Sequence, residues 1–197
     1  MAETLIAAVD KMIGLAPAER EALQAAVRRV RLKRKEHLLR EGEVCSFSAF
    51  ISSGCLRYYY LVDGEERTGQ FFFENSWYSD YESFLSRQPS LQNIQALETT
   101  EVLTVSREQW ERMYVEHPRF ERFGRLMAER AFLGLRSKTK LLTLASPEER
   151  YQQLMAERPL LFERVPLKHI ASYLSVKPES LSRIRKRLLE ARRPQKS

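Results

Sequence analysis

Glu179, Ser180 and Arg183 stand at i, i+1 and i+4. On a helix this spacing sets a carboxylate, a hydroxyl and a guanidinium side by side. An arginine can donate two hydrogen bonds to O6 and N7 of guanine, and a glutamate can accept from N4 of cytosine, each good pair discriminating by about 1–3 kcal/mol. Around them lie Lys168, Lys177, Lys186, Arg187 and Arg192, cations suited to phosphate oxygens. Together these residue types offer base reading flanked by backbone anchoring on a nucleic-acid duplex. The plainer alternative is a helical hairpin with a solvated charged face.

The apolar residues nearby decide which elements could carry such a surface. Leu167, Ile170, Ala171 and Leu174 recur at helical spacing, as do Leu181, Ile184 and Leu188, which predicts two short helices with one buried stripe each. Ser175, Val176 and Lys177 leave room only for a tight turn, and Pro178, lacking an N–H, is best tolerated in a first helical turn. Two helices so joined are a helix-turn-helix. Glu179, Ser180 and Arg183 fall off the apolar stripe of the second helix. Ser175 must take a turn conformation that glycine adopts more easily.

Residues 169–188, HIASYLSVKPESLSRIRKRL, resemble the helix-turn-helix of the Crp/Fnr family of bacterial transcription regulators, in the branch whose second helix reads PESLSRIRK. In that family a glutamate and an arginine four residues later read bases, and the resemblance assigns those roles to Glu179 and Arg183. The position before the glutamate, an arginine in better-known members, is Pro178 here, so one expected contact is missing. Upstream, EGEVCSFSAFISSGCLRYYYLVDGEE at residues 41–66 is similar to the early strands of the family's jelly roll. The resemblance implies a homodimer that binds double-stranded DNA, with RNA polymerase as a further partner.

Charge agrees with a nucleic-acid module at one end. The chain carries a formal net charge of +7, yet residues 164–197 alone hold ten bases and two acids, so the rest is near neutral. Cys45 and Cys55 lack CxxC spacing and read as reduced thiols on strands, which excludes a four-cysteine iron–sulfur site. His37, His117 and His169 are isolated, with no metal-ligand spacing and no nucleophile–base pair, so neither a metal nor an enzyme is predicted. His169 reads as a phosphate neighbour or a partly exposed helix residue. Glu3, Asp10 and Lys11 interrupt the first apolar run, and the uncharged run at residues 44–56 is shorter than the roughly 18 residues of a membrane span. A cytoplasmic protein with no membrane partner is expected.

Residues 4–27 are helical in period with Pro17 interrupting, which predicts two short helices. From residue 30 to 105 the pattern becomes short alternating segments, with Asp63-Gly64 a strong hairpin signal. Six to eight strands of this kind make a closed or sandwiched antiparallel domain. Ten of the chain's twenty aromatic residues lie between residues 58 and 84. They either fill the β-core or line a pocket for a planar ligand. Tyr60, Phe72, Trp77, Ser79, Asp80, Arg87 and Ser90 are the candidate effector-pocket residues.

Nucleotide-binding members of the family carry glycine-glutamate at the start of a short helix and arginine-serine or arginine-threonine some ten residues later. Those pairs align with Ser79-Asp80 and Ser90-Leu91, and neither is kept. Burying a cyclic phosphate without a cation costs several kcal/mol. Arg87 is the only base between residues 68 and 106, against Glu74, Asp80, Glu82, Glu98 and Glu101. Cyclic AMP by the usual contacts is therefore not expected, no cofactor is assigned, and another effector stays open. Arg87 either reaches into the pocket or is solvated.

Ser106 and Gln109 have the spacing of a helix start, and Pro118 restarts a helix that continues to residue 145. About 28 residues at 1.5 Å each span roughly 42 Å, and apolar residues on more than one side call for two partners, the β-domain and a second copy. Ser146-Pro147 opens the next helix, placing a hinge at residues 144–147, and residues 160–165 read as a short strand.

The fold class predicted is α+β. A jelly roll (double-stranded β-helix) like a cyclic-nucleotide-binding domain, with flanking helices, covers residues 1–116, a dimerisation helix 117–145, and a helix-turn-helix domain 146–197. That last domain is winged-helix-like with its wing truncated, because seven residues after Glu190 leave only a basic tail of Arg192, Arg193 and Lys196. The expected function is a sequence-specific DNA-binding transcription regulator. The rivals are a receptor for a cyclic nucleotide or other small ligand whose β-domain binding is the main activity, and a cupin-like enzyme, against which the missing metal ligands argue.

Overall fold

Prolines and hydroxyls set the helix starts. Pro17 and Pro147 occupy first helical turns, and the hydroxyls of Ser106 and Ser146 accept from the N–H of Gln109 and Glu149 at 3.2 and 3.3 Å. The computed structural model describes residues 2–191. Its elements run α1 (Glu3–Ile13), α2 (Pro17–Ala26), β1 (Arg28–Leu32), β2 (His37–Leu39), β3 (Phe47–Ser53), β4 (Leu56–Val62), β5 (Glu65–Phe72), β6 (Trp77–Tyr78), α3 (Tyr81–Ser86), β7 (Asn93–Ala96), β8 (Thr100–Ser106), α4 (Arg107–Glu116), α5 (Arg119–Leu144), α6 (Pro147–Glu157), α7 (Leu161–Arg164), α8 (Leu167–Tyr173) and α9 (Pro178–Ala191).

The strands form two four-stranded antiparallel sheets, ordered β1-β8-β3-β6 and β2-β7-β4-β5, the sandwich of a jelly roll. β4 and β5 are joined by the predicted hairpin, with Asp63 at φ 53° and Gly64 at φ 76°. Between the sheets the core is mostly aliphatic: Leu32, Leu39, Ala49, Ile51, Leu56, Ile94, Ala96 and Val102. Tyr78 of β6 is buried among them, and Tyr58 of β4 and Phe72 of β5 pack against this core, so the rings fill part of it. A second cluster joins α1, α2, α4 and the start of α5 to Phe50, Leu103 and Val105 on the outside of the first sheet.

The C-terminal helices have a core of their own, Tyr151, Leu154, Leu161, Ile170, Ala171, Leu174, Leu181 and Ile184, which also takes in Cys55 and Phe71 of the β-domain. Residues 160–165 are not a strand. The Val165 N–H closes a helical bond back to the Leu161 carbonyl at 2.9 Å, and Leu161 and Val165, four apart, share the buried side of the turn α7. Both cysteines are free and fully buried in the loops just ahead of β3 and β4 rather than within strands.

Along α5 the environment changes. Phe120 and Phe123 are buried against the second cluster, whereas Phe132, Leu133, Leu135 and Leu144 are 61–73% exposed. Among the described residues no helix is long and apolar enough to cross a membrane.

Candidate functional site

The turn between α8 and α9 closes through Ser175 N–H to Ser172 O and Val176 N–H to Ala171 O, both at 3.0 Å. Ser175 takes φ +56°, the left-handed conformation that the sequence demanded of it. Ile170, Ala171 and Leu174 of α8 are buried against Leu181 and Ile184 of α9. That packing leaves Lys177, Glu179, Arg183 and Lys186 exposed, with Ser180 half-buried and its Oγ 3.5 Å from Nη2 of Arg183. The carboxylate, hydroxyl and guanidinium thus occupy one surface over the first turns of α9.

The surrounding cations differ in their freedom. Lys168 is exposed, and Lys186 has only Glu190 at 3.9 Å. Arg187 is paired with Glu148, tying α9 to α6. Arg192, and with it Arg193 and Lys196, lies outside the described residues.

His169 is neither exposed nor a phosphate neighbour. It is 8% exposed and faces the β-domain, where Nη1 of Arg57 lies 2.9 Å from its Nδ1. Arg57, 1% exposed, also donates to Glu66 at 2.6 Å and Gln95 at 2.8 Å, and its guanidinium lies 4.2 Å from the centre of the Tyr59 ring. The same seam is stitched elsewhere. Ser172 Oγ accepts from Thr68 N–H at 2.9 Å and donates to Glu66 O at 3.0 Å, satisfying the open edge of β5. Arg158 donates to Gln70 and to the Phe71 carbonyl, at 2.8 and 2.9 Å. Arg164 bridges Glu74 and Glu98 and, with the Gly54 N–H assisting, holds the Glu74 carboxyl down at about 2.

Strand alternation makes β4 and β5 a shared wall. Arg57 of β4 and Phe71 of β5 meet α8, the latter through the Tyr173 ring at 5.5 Å, whereas Tyr58, Tyr60 and Phe72 face a cavity of about 800 Å³. The cavity lies between this sheet and α5, walled by those rings with Trp77, Trp110 and Phe123, and by Met127, Ala131 and Lys138. Its shape depends on Gly69. A Cβ there would lie 1.6 Å from Cε2 of Tyr58, so glycine lets the tyrosine ring lie across β5 at the bulge opposite Tyr58 and Tyr59.

Of the seven candidate effector residues, Tyr60, Phe72, Trp77, Ser79 and Asp80 line the cavity. Arg87 does not. It ends α3 in the left-handed conformation and pairs with Glu111 at 3.0 Å on the surface, since the αL cap turns its side chain outward. Ser90 is buried beside the cavity rather than on its wall, donating to Asp80 Oδ2 at 2.5 Å. Asp80, 3% exposed, also accepts from Ser83 N–H and from Gln92 Nε2, both at 3.4 Å. A carboxylate therefore occupies the head of α3, where a ligand phosphate would need a cation. Among the described residues no group of three His, Cys, Asp or Glu side chains could hold a metal.

Sequence reasoning missed Arg57, Gly69 and Lys138. Arg57 had one signal, a cation flanked by apolar residues inside a strand; the other two had none.

Residues 29–117 match the family model of the cyclic nucleotide-binding domain. No curated protein sequence matches the chain. Solved structures share its architecture at low identity. FixK2 from Bradyrhizobium japonicum superposes with a TM-score of 0.73 at 18% identity, over 84% of this chain and 85% of that one. The c-di-GMP-responsive global regulator CLP from Xanthomonas campestris gives 0.69 at 16%, over 89% and 93%. A protein of the crp/fnr family from Eubacterium rectale gives 0.68 at 19%, over 89% and 85%. The likeness is one of fold: an antiparallel β-domain, a long helix and a C-terminal helix-turn-helix.

Proposed function

We propose that this chain is a sequence-specific DNA-binding transcription regulator of the Crp/Fnr type, acting as a homodimer on double-stranded DNA. The observation that carries the reading is the division of α9 into a buried Leu181/Ile184 side and an exposed Glu179/Arg183 side. In it Glu179, Ser180 and Arg183 read base edges in the major groove, while Lys168, Lys177 and Lys186 hold phosphates. Arg187 divides its charge between Glu148 and the backbone. The three parts are residues 1–116, 117–145 and 146–197.

A second copy laid along α5 covers Phe132, Leu133 and Leu135 and sets two α9 helices about one DNA turn apart, roughly 34–36 Å. The β-domain is the sensing part. Its strands β4 and β5 carry both the cavity wall and the seat of α8, so a change in the cavity is felt by the DNA module. Such a regulator works in the cytoplasm beside the chromosome, meets RNA polymerase at promoters, and performs no catalysis. Asp80 at the head of α3 weighs against cyclic AMP held by the family's usual contacts.

Selection from a pool of randomised duplexes tests the reading. The outcome expected is enrichment of an inverted repeat with half-site centres about 10–10.5 base pairs, or one multiple, apart. A pool left unchanged after selection at low salt overturns it.

A further inference from the structure

Every α5 residue from position 131 to 140 is exposed except Lys138. Its side chain turns inward to the cavity wall, where Nζ donates to the Gly69 carbonyl of β5 and sits 4.4 Å from the centre of the Tyr173 ring of α8. Both partners are neutral. Burial alone brings its pKa down to about 8, with no nearby charge contributing. A desolvated ammonium facing only a carbonyl and a ring is a poor arrangement for the charge and a good one for an incoming anion.

The rest of the cavity limits what can bring that anion. Its volume of about 800 Å³ suits a small organic molecule, and Tyr58, Tyr60, Phe72, Trp77 and Trp110 offer flat apolar walls. At the head of α3 the acceptor Asp80 is already supplied by Ser90, Ser83 and Gln92, so a second negative group there would meet a carboxylate rather than a donor. We propose that the cavity takes a planar aromatic carboxylate, with its rings against Tyr58, Phe72 and Trp77 and its carboxylate on Nζ of Lys138. This anion site is on the long helix, not at residues 79–91 where the family resemblance would put one. Because the same ammonium lies over Tyr173, a carboxylate that draws Lys138 away removes a contact from α8 and so reaches the helix-turn-helix.

The proposal rests on the reading of the β-domain as the sensing part, and its test does not involve DNA. The chain has two tryptophans, Trp77 and Trp110, and both line the cavity, so tryptophan emission reports on this site. The probes are 2-naphthoate and its methyl ester, the same rings with and without the charge, titrated by emission and by calorimetry. The expected result is that naphthoate binds at least about tenfold more tightly than the ester, as one charge-assisted hydrogen bond warrants. Lys138→Gln abolishes the preference and Lys138→Arg keeps most of it. Equal affinity of the two probes for the unaltered protein, no binding of either, or an undiminished preference in a folded Lys138→Gln variant overturns the proposal. Failure of the duplex selection with naphthoate still bound would sink the regulator reading and leave this site standing.

Discussion

Arg57 on β4 donates a hydrogen bond to Nδ1 of His169 on α8 at 2.9 Å, across 112 positions of sequence. An arginine has only donors, so the imidazole is neutral with its proton on Nε2. One buried contact thus records whether the helix-turn-helix is seated on the β-domain.

That contact makes the seating acid-sensitive. Burial first, then the charges of Arg57 and Lys168, opposed by Glu66, bring the pKa of His169 down to about 4 from its ordinary 6.5. Below the ordinary value the unfolded chain binds a proton that the folded chain refuses. Stability is therefore undiminished above about pH 6.5 and falls toward pH 4, by on the order of 1–3 kcal/mol. Glu74, held at about 2 by Arg164, adds a loss from about pH 4.5 downward. Urea midpoints between pH 7.5 and 4.5 should fall more steeply in the unaltered protein than in His169→Gln; parallel curves would remove His169 as the cause.

Gly69→Ala should disturb the cavity more than the strand. A Cβ 1.6 Å from the Tyr58 ring forces that ring aside, at about 1–3 kcal/mol. The melting temperature should drop, and the emission of Trp77 and Trp110 should shift as the cavity changes shape.

Asp80→Ala strands the Ser83 N–H and leaves the Ser90 hydroxyl only its longer bond to the Gln92 carbonyl, at about 1–3 kcal/mol, whereas Asp80→Asn keeps an acceptor and should lose less. Calorimetry with cyclic AMP should give no heat at micromolar concentrations of the unaltered protein. Micromolar binding would mean that other groups replace the missing cation.

Phe132→Asp should leave the fold intact, because the ring is 61% exposed, and should yield a monomer in light scattering. A dimer that survives this charge would place the two-fold interface elsewhere.

The helix-turn-helix was legible because everything that defines it is local: two apolar stripes, a three-residue turn and a proline. The β4–β5 hairpin was legible for the same reason, since Asp63-Gly64 names its own turn. What sequence could not supply were pairings across folds. Arg57 and His169 are too far apart to be matched by spacing. Ser79, Asp80 and Ser90 read as a broken phosphate cassette, and only their placement revealed Asp80 and Ser90 as partners. Arg87 stayed open between pocket and solvent because nothing local told that it would cap α3 in the left-handed conformation. Residues 160–165 misled because apolar residues in a six-residue run fit a strand and a helical turn equally well.

Whether the outward side of α9 reads sequence is decided at Arg183. Affinities of the unaltered protein, Arg183→Ala and Lys186→Ala would be measured on a selected duplex and on a scrambled one across a salt series. Arg183→Ala should lose about 1–3 kcal/mol on the selected duplex and little on the scrambled one, while Lys186→Ala should weaken both alike and reduce the salt slope by about one. Equal losses on the two duplexes for Arg183→Ala would mean that this side of α9 does not read bases.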